Sequence, residues 1–131
     1  MERIPILKMG DNLLVSIQVD MHDRLAMTLQ DDLTAKIVET GASIAIIDIT
    51  GVPTVDTLVA QHLMKTVAAA RLMGADCIIS GIRPQIAQTI VHLGVELGDV
   101  VTKSSLADAL TVALRRTGFV VTRTAPGEGG R

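Results

Sequence analysis

One stretch of the chain gathers residues able to carry a phosphoryl group: Asp48-Ile49-Thr50-Gly51-Val52-Pro53-Thr54-Val55-Asp56-Thr57. Asp56 has the type and position of a helix N-cap, which makes Thr57 the first helical residue. A hydroxyl there faces unpaired backbone N–H groups and the positive end of the helix dipole. The same groups stabilise a phosphate, or a phosphoryl group in transfer. Asp48 and Asp56 act in the opposite sense, repelling added charge where they lie close. A phosphorylated form would then differ enough in shape or surface potential to alter a partner's affinity. An Asp-Thr pair is also what ordinary capping uses, and the residues alone leave both readings open.

The rest of the chain offers little chemistry. No GxxxxGK[ST] or GxGxxG run follows a predicted strand, so no phosphate-cradling loop is expected. His22, His62 and His92 fall on three different predicted helices without the spacing of metal ligands, and they read as structural histidines. Cys77, the single cysteine, lies in a predicted core strand and reads as a small apolar residue rather than a nucleophile. Asp31 and Asp32 are adjacent on a predicted helix, point in different directions, and form a solvated face rather than an acid/base pair. Met64 and Met73 are expected in the core. These readings imply no cofactor, no metal and no enzymatic activity.

The elements that position the loop follow from periodicity. Ile4–Met9 and Leu13–Val19 flank the turn signal Gly10-Asp11-Asn12 and form a hairpin, with Pro5 placing the first strand at an edge. Leu25, Leu29, Leu33 and Ile37 recur every four residues, which predicts a helix from about His22 to Thr40; Asp20 or His22 lies near its start and Gly41 stops it. Ile44–Ile49 is nearly all apolar and β-branched, as a central buried strand requires. A helix from about Asp56 to Met73 buries Val59, Leu63, Val67 and Ala70 and ends at Gly74. Cys77–Ile79 is a short strand. Pro84 opens a helix with Ile86, Ile90 and Leu93 on its inner face and Gly94 as its stop. Val100-Val101 supplies a last strand, and Ser105 with Asp108 resembles a capping box for a helix to about Arg116. Alternation of this kind predicts an α/β domain with a mostly parallel sheet, right-handed crossovers and an antiparallel hairpin at one edge. One domain over residues 1–118 is expected, followed by a flexible tail over 119–131.

Composition agrees. The chain has 131 residues, a formal net charge of -2 and one Phe, with no Tyr or Trp. Neither a basic footprint nor an aromatic stacking platform for nucleic acid is present. No apolar run reaches the length of a membrane span or of a signal peptide, and a lone cysteine suits a reducing compartment; a cytoplasmic protein is expected.

The Asp48–Thr57 segment resembles the signature of STAS domains, the family of anti-sigma-factor antagonists, in which an aspartate-bearing strand leads through a loop into Asp-Ser or Asp-Thr. Ile4–Lys8 with Leu13–Gln18 resembles the opening of the family's small RsbS-type stressosome scaffolds. Leu72–Ala75 and Gly81-Ile82-Arg83-Pro84-Gln85-Ile86-Ala87-Gln88-Thr89 resemble the stressosome branch, including its larger RsbR-type sensors. The resemblance covers roughly Ile4 to Arg116 and implies a single STAS-type fold. It implies Thr57 as the residue phosphorylated by the cognate switch kinase and Thr89 as a second phosphoacceptor. Asp48, Thr50 and Asp56 become the acidic and loop residues around the first site. The implied partners are an RsbT-like serine/threonine kinase, RsbR-like sensor homologues and further copies of the chain in a large complex. The implied mechanism is partner switching, in which the unmodified scaffold holds the kinase and phosphorylation releases it. RsbS-type scaffolds usually carry Ser at the first site, whereas Thr57 matches the RsbR type. An anti-sigma-factor antagonist that acts free of any assembly is the nearest alternative. A nucleotide-binding or enzymatic α/β domain is a more distant one. A mean hydropathy of +0.44 fits a surface that assembles, and equally a Leu-rich core.

Overall fold

Gly10, with φ of 62°, makes the tight turn that joins β1 (Ile6–Met9) to β2 (Asn12–Ser16) in an antiparallel hairpin. A computed structural model describes residues 3–92, 100–120 and 122–124. Three further strands, β3 (Ile44–Asp48), β4 (Asp76–Ser80) and β5 (Val101–Lys103), extend the sheet in the order β1-β2-β3-β4-β5, and all pairs after the hairpin are parallel.

Topology then dictates where the helices go. Each crossover from β2 to β5 moves one strand in the same direction, and right-handed crossovers taken in one direction put every connecting helix on the same face. Helices α1 (Asp23–Thr40), α2 (Thr57–Leu72) and α3 (Pro84–His92) accordingly bury their apolar stripes in one core with Leu13, Val15, Ala45, Ile47, Cys77 and Ile79. Among the described helices only α4 (Leu106–Arg116), which follows β5, packs on the other face, setting Ala109 and Ala113 against Ile44, Ile46 and Ile78. Leu25, Leu29, Leu33 and Ile37 on α1 are all at most 2% exposed, and each such side chain stabilises the fold by about 1.5–3 kcal/mol.

The helix ends use the expected chemistry. His22 is the N-cap of α1, its Nδ1 accepting the Leu25 N–H at 3.3 Å. Gly41 closes that helix in the left-handed conformation with its N–H donating to the Ile37 carbonyl. Ser105 Oγ accepts from the Asp108 N–H at 3.2 Å at the start of α4.

Three expectations need correction. Met73 does not enter the core; it is the C-cap of α2 at 46% exposure beside the 82% exposed Leu72, where the helix ends and the chain turns at Gly74, φ 99°, to enter β4. The second strand ends at Ser16 rather than Val19. Asn12, Leu13, Leu14 and Val15 are all buried, since an interior strand is covered on both faces. The last strand starts one residue later than Val100 and runs to Lys103. The predicted roles of Leu93 and Gly94, and most of the predicted tail, fall outside the described residues.

Cys77 lies on β4, 3% exposed. Burial pushes its thiol up to about 12 from an ordinary 9.0, with Asp76 adding to the rise and Arg71 opposing it. The fold therefore favours the protonated form. That contribution to stability is complete below about pH 9 and is lost as pH rises toward 12. At pH 8 the native protein is expected to resist alkylation by iodoacetamide and to take it up on unfolding in urea, as read by mass. Rapid labelling without denaturant would contradict this burial.

Candidate functional site

At the carboxyl ends of β2, β3 and β4 three loops interlock, the position where open α/β sheets place their functional groups. Asp48, the last residue of β3, is 6% exposed and sits in register opposite Ser80 of β4. Its Oδ1 accepts two hydrogen bonds, from Ser80 Oγ at 2.8 Å and from Thr50 Oγ1 at 2.7 Å. The carboxylate thus braces the start of the loop against the neighbouring strand. It is committed to these hydroxyls, not to Thr57.

The other contacts of the loop are equally close. A Cβ on Gly81, where φ is +77°, would lie 2.2 Å from Thr50 Oγ1 and 2.6 Å from the Thr50 nitrogen, so only glycine lets the two segments meet. Gly51 faces Gln18 of the β2–α1 connection, with Gln18 Cγ 3.0 Å from where a Cβ would be. Val52 is buried, its N–H donating to the Ile49 carbonyl, and its own carbonyl accepts from Arg83 Nη2 at 2.9 Å.

Beyond Val52 the loop delivers Asp56 in an extended conformation. Asp56 Oδ1 accepts the Val59 N–H at 2.9 Å, which caps α2 and fixes Thr57 as its first residue. Thr57 is exposed, and its hydroxyl makes no hydrogen bond among the described residues. Asp56 is the cap that the sequence predicts; its carboxylate serves the backbone.

Thr89 lies on α3, half-buried, with its hydroxyl donating to the Gln85 carbonyl at 3.0 Å. Gln85, Gln88, Thr89 and His92 share one face of this helix. Across from them stands Thr57: a cavity of about 310 Å³ is lined by Thr57, Gln85, Gln88, Thr89 and His92. An adjoining cavity of about 330 Å³ has Thr89 and Gln85 in its wall too, together with Pro53, Thr54 and Arg83. His92 Nδ1 is 2.7 Å from the Gln88 carbonyl, which makes that nitrogen the donor.

The structure thus brings Thr57 and Thr89 to one cavity, while the buried Asp48 braces the start of the loop through the exposed Thr50. Sequence reasoning missed Ser80, which is identified only once the β3–β4 register is known. It also missed the contact of Arg83 with Val52 and the meeting of the two threonines across α2 and α3. The glycine directly after β4 was the available signal for a special backbone at position 81. Among the described residues no His, Cys, Asp or Glu cluster could hold a metal ion. None of the described helices is long and apolar enough to cross a membrane.

The chain matches the STAS domain over residues 3–109. It is 41% identical over 114 residues, 86% of its own length, to the RsbT co-antagonist protein RsbRA of Bacillus subtilis. It spans 42% of RsbRA, less than half of that protein, and 33% or less of the other RsbT co-antagonist proteins it matches. Among solved structures it is similar to a variant of RsbS from Moorella thermoacetica in which a serine is replaced by glutamate. There the TM-score is 0.76 at 26% identity, covering 88% of this chain and 98% of that one. A chain of the stressosome has the same fold, with a TM-score of 0.71 at 24% identity, covering 88% of this chain and all of that one.

Proposed function

The chain belongs to the STAS domain family, with relatives among stressosome proteins, and from that premise we propose that it is a phosphorylatable stressosome scaffold acting by partner switching. The observation that carries this reading is the Thr57 hydroxyl: exposed, unpaired within the described chain, and set at the first turn of α2 by the Asp56 cap. In the unmodified state the domain holds a switch serine/threonine kinase of the RsbT type. The kinase brings ATP to Thr57; an O–P bond forms from Thr57 Oγ1 to the γ-phosphorus as the bond to ADP breaks. The hydroxyl proton leaves to a base of the kinase. The product carries about -1.5 to -2 of new charge. The α2 dipole favours that charge, while Asp56 beside it opposes it, so the local surface potential changes sharply. The kinase is then released.

Thr89 is a second acceptor in this scheme, and the domain itself performs no chemistry. It works in the cytoplasm, assembled with RsbR-type sensor homologues and further copies of itself. The identity to RsbRA supports the kinase as partner, because that protein is a co-antagonist of RsbT.

Incubation with an RsbT-type kinase and ATP, followed by mass spectrometry, tests the scheme. Phosphate is expected on Thr57, reduced to background in Thr57→Ala, and phosphorylation is expected to weaken kinase binding by about tenfold or more. Absence of both phosphate and kinase binding would exclude the switch. A domain that is phosphorylated but stays small on a sizing column beside an RsbR-type homologue would instead be a free antagonist.

A further inference from the structure

We propose that Arg83 is a positioning residue that couples the two threonines: it holds the Thr57 loop through the Val52 carbonyl, and a phosphate on Thr89 draws it away. This rests on the reading of Thr89 as a phosphoacceptor. Arg83 stands at the entrance to α3, exposed, with Nη2 donating to the Val52 carbonyl at 2.9 Å. It is thus a tie between the β4–α3 connection and the loop that ends at Thr57. No carboxylate among the described residues lies within ion-pair distance of it, so its charge is uncompensated there. Arg83 and Thr89 stand in the wall of one cavity, and Thr89 is also in the wall of the cavity that contains Thr57.

A neutral carbonyl is a modest acceptor for a guanidinium. A phosphate offers two or three charged oxygens in the geometry that the planar guanidinium fork matches, and a bidentate pair of opposite charges attracts more strongly than a charge and a neutral dipole. Modification of Thr89 therefore sets a stronger acceptor against the Val52 carbonyl. When Arg83 turns to it, residues 49–56 lose one of their ties, and the presentation of Thr57 to a kinase changes although Thr57 itself is untouched. The second site acts on the first through a single side chain.

Hydrogen exchange of residues 49–56, followed by mass spectrometry without any kinase, tests the coupling. Arg83→Gln is expected to speed exchange in this loop about tenfold, the loss of one charged hydrogen bond. Thr89→Glu should speed it several-fold, whereas Thr89→Ala should leave it unchanged. The response to Thr89→Glu should vanish in the Arg83→Gln background and persist in part with Arg83→Lys, which keeps the charge. The Arg83 Nε–H resonance, read in the otherwise native protein, should move in Thr89→Glu and stay in place in Thr89→Ala. Unchanged loop exchange and an unmoved Arg83 resonance in Thr89→Glu would overturn the proposal, as would equal responses with Gln and Arg at position 83. Because no kinase is involved, loss of the coupling leaves the switch reading standing. Failure of kinase binding, conversely, would remove the source of a phosphate on Thr89 but not the response of the loop to Thr89→Glu.

Discussion

Gly81→Ala is expected to destabilise the domain by about 2 to 5 kcal/mol, more than any other single-methyl addition at a described glycine. Two costs combine. An L-residue at a φ of +77° carries about 1–2 kcal/mol of backbone strain. The new methyl also meets Thr50 at 2.2, 2.6 and 2.7 Å, and two of those three atoms are backbone, which no rotamer change can clear. Forced overpacking of this kind adds about 1–3 kcal/mol. Relief requires Thr50 to move, and with it the hydroxyl that donates to Asp48. Urea unfolding measures the effect as a lower midpoint at unchanged m-value. Gly10→Ala is the matched control, since Gly10 has a φ of +62° but no atom within 4 Å of the added Cβ. Equal losses for the two variants would show that Thr50 yields easily and that the loops do not interlock as described.

The second large effect belongs to Asp48. Removing its carboxylate in Asp48→Ala takes the acceptor from the Ser80 and Thr50 hydroxyls together, and Ser80 is wholly buried. A buried donor left unsatisfied costs about 1–3 kcal/mol, so the expected loss is about 2 to 4 kcal/mol. Asp48→Asn keeps one oxygen as acceptor and should lose less. The double variant Asp48→Ala, Ser80→Ala should be more stable than the sum of the single losses predicts, by about 1 kcal/mol, because the second change removes the orphaned donor. Strict additivity would mean that water satisfies Ser80 and that the brace contributes little.

The part of this molecule legible in its sequence is the part set by short-range rules. Asp56 as cap, Thr57 as first helical residue, Pro84 as helix opener and Ser105 as cap each depend on backbone groups within four residues, and each stands where expected. The stripe Leu25, Leu29, Leu33, Ile37 depends only on helical period, and all four residues are buried. What the sequence concealed depends on register and on neighbours far along the chain. Ser80 is 32 residues from Asp48, and Arg83 is 31 residues from the carbonyl it holds. The exposure of Met73 was hidden for a related reason: hydrophobicity states what a side chain prefers, while the turn at Gly74 decides where it goes. For the same reason the two threonines could be singled out one at a time, but not as residues facing one cavity.

The identity of strand order and chain order bears on how the domain is made. Each described strand after the first pairs with its predecessor in sequence, so a chain emerging from the ribosome does not have to hold a place open in this sheet for a strand not yet synthesised. The hairpin comes first and forms a local template; each later helix–strand unit docks on an edge already exposed, at the cost of closing only the connection to its immediate predecessor. Growth is therefore vectorial, and Asp48 is in place before Ser80 arrives to meet it. The mirror consequence is that the face covered by α4 is the last to close, so a nascent or truncated chain lacking that helix displays Ile44, Ile46 and Ile78 to whatever surface is nearest.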